Sequence, residues 1–213
     1  FGPLVIAGVY TDAAISRHLI DSGIMDSKRI SSDARIRKLA AIIRETPGCI
    51  HSIVSIGPER YNEMHAQFRN LNALLAWGHA RVIENLLGLR PTCPRALSDQ
   101  FANPRVLQSA LKRRKLAIQL DQRTKGESDV AVAAASILAR ERFIDWMEKT
   151  SEACGIELPL GASAAVIQAA KAVVAARGRE ALPKVAKTHF RTTAEVLGES
   201  GGSGDPVEGD VNS

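Results

Sequence analysis

The stretch Val130–Arg142, VAVAAASILARER, constrains this chain more than any other. Alanine is the strongest helix former, and the alanines and serine within 131–136 are too short to hold a neighbour away. A helix with such a surface lies close to whatever it packs on, so its first turn is fixed near a rigid core. Just before it stand Asp121, Glu127 and Asp129, in DQRTKGESD. Carboxylates held there form a candidate metal site, because hard divalent cations take oxygen ligands. Asp99, in ALSDQFAN, is a further acidic candidate upstream.

Around this helix the sequence alternates strand and helix patterns. Pro3–Tyr10 is β-branched and apolar enough for a buried strand. Thr11 and Asp12 cap a short helix, AAISRHLIDSG, which Gly23 ends. Ser32 or Asp33 opens another, with Ile36, Leu39, Ala40 and Ile43 at helical spacing and Pro47-Gly48 closing it. CIHSIVSIG, between Gly48 and Gly57, reads as a strand. Asn70–Leu87 is the clearest helix, with an apolar stripe that includes Leu71, Leu74, Val82 and Leu86 and with Gly88 at its stop. RALSD is a short strand, Val106–Leu111 a small helix, LAIQL (116–120) a strand, and Val130–Thr150 and Ala162–Arg177 are helices. Interleaving of this kind predicts an α/β fold, a mixed sheet covered by helices. GESGGSGDPVEGDVNS, from Gly198, is almost without apolar residues and is predicted to be a disordered tail.

Composition narrows the class of function. Of 213 residues 45% are hydrophobic, enough for a core, but only 4% are aromatic, so aliphatic side chains must fill it. A net charge of +5 favours a polyanionic partner. The three cysteines, Cys49, Cys93 and Cys154, form no CxxC pair, so neither a zinc site nor a disulfide framework is indicated, and free or buried thiols suit a reducing cytoplasm. No apolar run approaches the ~20 residues of a membrane span. FGPLVIAGVY lacks a basic leader and reads as a core strand rather than a signal peptide.

Each candidate residue carries two readings. Asp99 ends a strand, where a side chain projects into the crevice at a sheet edge, or it caps the next helix. Asp129 has the position of a helix N-cap, whereas Glu127 lies just outside the helix and has less structural reason to be there. Lys28 and Arg29 sit in a loop and suit a phosphate backbone. The run Lys112-Arg113-Arg114-Lys115 reads as a solvated helix end. The histidines show no metal spacing. His79 has the place of a structural histidine, and His189, in KTHFRTT, sits among hydroxyls and cations where a phosphate contact is one reading.

Seven stretches, taken in order, resemble the type 2 ribonuclease H family, and within it ribonuclease HIII. They are FGPLVIAGVY, MDSKRIS, IGPERYN, NLNALLAWGHARVIENLL, ALSDQFAN, QRTKGESDVAVAAASILARERF and KVAKTHFRTT. The resemblance implies a ribonuclease H-like mixed sheet flanked by helices. It implies a monomeric endonuclease that uses two Mg²⁺ or Mn²⁺ ions to cut the RNA strand of RNA/DNA hybrids, leaving 5′-phosphate and 3′-hydroxyl ends. Of the family's four acids, Asp99 matches the third and Glu127 the fourth, with Asp129 as the alternative. Lys28 and Arg29 match a segment near the substrate backbone, and Tyr61 and Asn62 an element beside the hybrid. The first two acids, an Asp-Glu pair on a Gly-rich first strand, have no match. The expectation is therefore a partial catalytic domain over 1–197 that lacks this strand and has little or no activity by itself. Two alternatives stand beside it: cleavage at embedded ribonucleotides in the manner of ribonuclease HII, and a catalytically dead nucleic-acid-binding module.

Overall fold

The computed structural model describes residues 1–25, 30–161 and 163–198, apart from the side chain of Glu127. The loop carrying Lys28 and Arg29 and the tail from residue 199 lie outside the described residues. The chain divides into two compact units. One comprises Pro3–Ile56 and Glu63–Trp146, and the other Phe1–Gly2, Gly57–Asn62 and the chain from Met147.

The first of these is built on two strand pairs. β1 (Leu4–Tyr10) runs antiparallel to β2 (Ile50–Ile56), with Leu4 opposite Ile56 and Tyr10 opposite Ile50. Alternation sends Ala7, Val9 and Ile53 to one face. There they join a core made by α1 (Ala13–Asp21), α2 (Asp33–Glu45) and α6 (Val130–Cys154), centred on Leu19, Ile36, Leu39, Ile43, Ile137 and Leu138. Asp12 caps α1 through bonds from the amides of Ala14 and Ile15, and Ser32 caps α2 through Arg35.

The opposite face of β1 receives α4 (Leu71–Leu89). The approach is close because both partners carry glycine where they meet. A Cβ on Gly78 would lie 2.1 Å from Cδ1 of buried Ile6, and one on Gly8 2.5 Å from Cγ1 of Val82. Asn85 of α4 ties to β2 through a 3.0 Å bond to the Ser52 hydroxyl.

The second strand pair is parallel: β3 (Arg95–Asp99) lies beside β4 (Gln119–Arg123). A second core, with Ala76, Ala80 and Ile83 of α4 and Leu107, Ala110 and Leu111 of α5 (Pro104–Arg113), covers one side of it. The sequence predicts this last strand over 116–120, and the pairing starts later. Lys115 turns left-handed at φ 58°, and Leu116 and Ile118 pack into the second core as an extended lead-in. Cys49, Cys93 and Cys154 are free thiols, each partly buried.

The other unit holds α7 (Ala164–Arg177) and the short helices α8 (Leu182–Val185) and α9 (Arg191–Leu197). The helix α3 (Pro58–Phe68) starts with Tyr61 N–H donating to Gly57 O at 2.8 Å. Its segment ERYNEMHAQF has no clean apolar stripe, so periodicity does not announce it. No described helix is long and apolar enough to cross a membrane.

One polar tie joins α2 to α6 beside the first core. Both guanidinium nitrogens of Arg44 reach the carboxylate of Glu141, Nη1 at 2.7 Å from Oε1 and Nη2 against Oε2. Glu141 is only 9% exposed. Arg44→Met should leave this carboxylate without its partner and lower stability by about 1–3 kcal/mol. Arg44→Met with Glu141→Leu should recover most of that loss in urea denaturation, whereas a double loss equal to the sum of the two single losses would show that the two residues act independently.

Candidate active site

Asp99 is the last residue of β3, and in the parallel register it stands opposite Arg123, with Leu97 opposite Asp121. Alternation puts these four side chains on the side away from the second core. They line one wall of a groove of about 700 Å³. β1 forms the wall across from them, α4 contributes Leu75, His79 and Val82, and α6 contributes Ala131, Ala135 and Ser136. Among the described residues β1 pairs only with β2 and β3 only with β4, so two strand edges are open.

What fixes Asp99 is the turn before α6. The amide of Gly126 donates to Asp99 Oδ1 at 3.0 Å. A Cβ on Gly126 would lie 3.0 Å from the Asp99 Cα and 3.2 Å from its backbone nitrogen. Backbone atoms cannot swing aside, so closeness of approach, rather than a left-handed φ, requires glycine here. Residues Gly126–Ser128 form a 3₁₀ turn entered through Lys125 at φ 58°. Glu127 is the residue after Gly126 in this turn, and its side chain lies outside what the structure describes. Asp129 acts as the cap of α6, its Oδ1 accepting the Ala131 amide at 2.9 Å and its carbonyl that of Ala133.

His79 of α4 stacks on Phe101, two residues beyond Asp99, with ring centroids 4.8 Å apart and planes 16° from parallel. Burial pushes its pKa down to about 4, against the opposing pull of the Asp99 charge. The imidazole is therefore neutral at pH 7 and serves as a ring supporting the strand end.

The described carboxylates Asp99, Asp121 and Asp129 line the groove. Asp99 and Asp129 each have one oxygen engaged by a backbone amide. No group of three or more His, Cys, Asp or Glu side chains among the described residues is placed to hold an ion. They would hold a divalent cation only with further donors.

Tyr61 and Asn62 lie in the other unit. Tyr61 is buried, at 1% exposure, and burial pushes its phenol up to about 12. The Asn62 amide donates to Pro183 O at 3.2 Å and Ala186 O at 3.0 Å, and its oxygen accepts the Thr188 amide at 2.9 Å. Both residues brace the segment 183–189 from beneath. In the basic run, Lys112, Arg113 and Lys115 are exposed as the sequence predicts, but Arg114 pairs with Glu84 at 2.6 Å and lies over the Trp77 ring. Gly126 and Phe101 are not singled out as site residues by the sequence patterns. A glycine directly before a candidate acid was the signal for the first, and nothing local signalled the second.

The family model described as ribonuclease HII matches residues 1–193. Ribonuclease HIII of Protochlamydia amoebophila is 48% identical over 201 residues, 94% of this chain and 65% of that protein. Ribonuclease HIII of Chlamydia felis is 44% identical over 198 residues, 92% of this chain and 65% of its own length. The chain thus spans about two thirds of the length of the curated relatives it matches. Among solved structures, Bst-RNase HIII in complex with Mn²⁺ superposes with a TM-score of 0.86 at 32% identity, covering 93% of this chain and 65% of that one. Aquifex aeolicus RNase H3 gives 0.71 at 25%, covering 90% and 68%.

Gly126→Ala should push the turn off Asp99 and lower stability by about 1–3 kcal/mol, read by urea denaturation. An unchanged midpoint would mean that the two backbones separate freely. A second outcome concerns pH. Because the folded pKa of His79 lies below its unfolded value of 6.5, the stability from keeping it neutral is complete above pH 6.5. It is lost as pH falls towards 4. His79→Phe should remove on the order of 1–3 kcal/mol of acid sensitivity across that window. Parallel stability–pH curves for the two proteins would refute the assignment.

Proposed function

The chain belongs to the ribonuclease HII family, and from that premise we propose that it is the nuclease portion of a divalent-metal-dependent endoribonuclease. Its substrate is the RNA strand of RNA/DNA hybrids, which it cuts to 5′-phosphate and 3′-hydroxyl ends. The observation that carries this reading is Asp99, held by the Gly126 amide in the wall of a groove.

The local chemistry supports specific roles. The Gly126 bond turns one carboxylate oxygen of Asp99 away and holds the other in a set direction. The same bond brings the backbone of Glu127, one residue further on, beside Asp99, whereas Asp129 already has an oxygen committed to capping α6. We assign Asp99 and Glu127 as ligands and Asp129 as a cap. A bound Mg²⁺ or Mn²⁺ would supply a water acidic enough to attack phosphorus and charge to neutralise the leaving oxygen. The two open strand edges support a berth for one further extended strand, which would join both pairs into one mixed sheet. The resemblance puts an Asp-Glu pair on such a strand, and these acids would complete the partial ligand set. On this reading the 213 residues alone turn over hybrid slowly, and the chain joined to that strand turns it over fast.

The test is cleavage of a hybrid with end-labelled RNA, with Mg²⁺ or Mn²⁺ and with EDTA, using protein that carries the completing strand. Asp99→Asn and Glu127→Gln should each reduce the rate by more than the ~100-fold expected for a supporting residue. Asp129→Asn, which keeps a side-chain oxygen to cap α6, should leave the rate and the stability nearly unchanged. Cleavage undiminished by Asp99→Asn, or insensitive to EDTA, would sink the proposal, and loss of activity in Asp129→Asn but not Glu127→Gln would move the ligand to Asp129.

A further inference from the structure

Phe190 is out of place by the usual rule of burial. Only 4% of the chain is aromatic, and among the described large apolar side chains that are exposed, Phe190 is the one aromatic, at 44%. It does not stand alone. The His189 ring, also exposed, lies 3.9 Å from it between centroids, at 39°. Behind His189 is the buried Tyr61 ring, 5.6 Å away, and over that ring sits the Lys187 ammonium at 5.5 Å from the centroid. Arg191 follows directly. Residues 184–191, KVAKTHFR, hold three Lys or Arg side chains and a histidine and no acid.

The segment is also held still. Asn62 grips it at Pro183, Ala186 and Thr188 with three bonds of 2.9–3.2 Å. Lys187 has no ion pair with a described carboxylate, and burial lowers the pKa of its ammonium. A phosphate would offset the cost of that burial by pairing with the ammonium. A fixed cation flanked by an exposed ring pair has the two parts needed for a single nucleic-acid strand: charge for the backbone and a flat face for an unstacked base. A duplex interior offers no free base face, and an acidic peptide would leave the rings unused.

We propose that His189 and Phe190, with Lys187 and Arg191, form a platform that takes an unpaired nucleotide at a single-stranded end of the substrate. This rests on the reading of the substrate as nucleic acid, and adds that a single-stranded extension is gripped as well as the hybrid.

The 213-residue chain in EDTA, titrated into a blunt RNA/DNA hybrid and into the same hybrid with a short single-stranded overhang carrying 2-aminopurine, tests it. Binding should quench the overhang fluorophore, and the overhang should bind about tenfold more tightly than the blunt end. Phe190→Leu should erase the quench and the tenfold gain, and Phe190→Tyr should retain both. Lys187→Gln and Arg191→Gln should each flatten the salt dependence of overhang binding, while Lys171→Gln on α7 should not. Far-ultraviolet circular dichroism and melting establish that each variant is folded. Equal affinity for blunt and overhang probes, or a quench that survives Phe190→Leu, would overturn the platform and leave the hybrid reading in place. No binding to either probe would overturn both.

Discussion

The arrangement in the larger unit depends on how little side chain α6 presents near its start. Ala133 and Ala134 are essentially fully buried, which lets the helix lie against the core shared with α1 and α2. Ala131 and Ala135, on the neighbouring face, leave the groove beside β1 and β3 open. One short stretch of helix is thus part of a core and part of a wall, and larger side chains would fail in opposite ways on its two sides. Outward displacement would follow on the first and filling of the groove on the second. The 3₁₀ turn that meets Asp99 is continuous with this helix, so its position inherits the precision of the packing behind it.

Electrostatics around Asp99 are governed by what is kept neutral as much as by charge. The His79 ring, which feels the Asp99 charge, is stacked and desolvated, and is uncharged in the range where nucleases work. A protonated imidazole beside Asp99 would compete with any cation for that carboxylate. Burial therefore removes a competitor without removing the ring that supports the strand end. In the other unit burial acts differently: Tyr61 is sequestered with its hydroxyl protonated, and the ring serves as a floor under Lys187.

Much of this was legible in the sequence wherever a property repeats along the chain. The strand over residues 4–10 and the helices starting near 33, 71 and 130 follow from apolar periodicity and capping residues, and the structure has them within a few residues of the expected bounds. What was not legible depends on distant partners. The need for glycine at 126 arises from the backbone of Asp99, 27 positions earlier in the chain. The start of β4 is set by where β3 begins to pair, so the apolar residues ahead of it, read as strand, pack instead as a lead-in. Tyr61 and Asn62 were identified as substrate contacts through family resemblance, which marks positions that matter without saying which way their side chains point. Here one is buried and the other is engaged with backbone. Lys28 and Arg29 fall outside the described residues.

The open edges of β1 and β3 also bear on how the chain behaves in a crowded solution. Each exposes a row of amides and carbonyls with the spacing of a strand, and such rows are templates for pairing with whatever extended segment arrives first. A chain whose groove is filled by its own polypeptide has neither of these two templates. One whose groove stays open offers both, and its natural partners at high concentration are other copies of itself. Solubility then becomes a readout of groove occupancy, and the same hydrogen-bonding groups that would complete a sheet in one setting would seed aggregates in another.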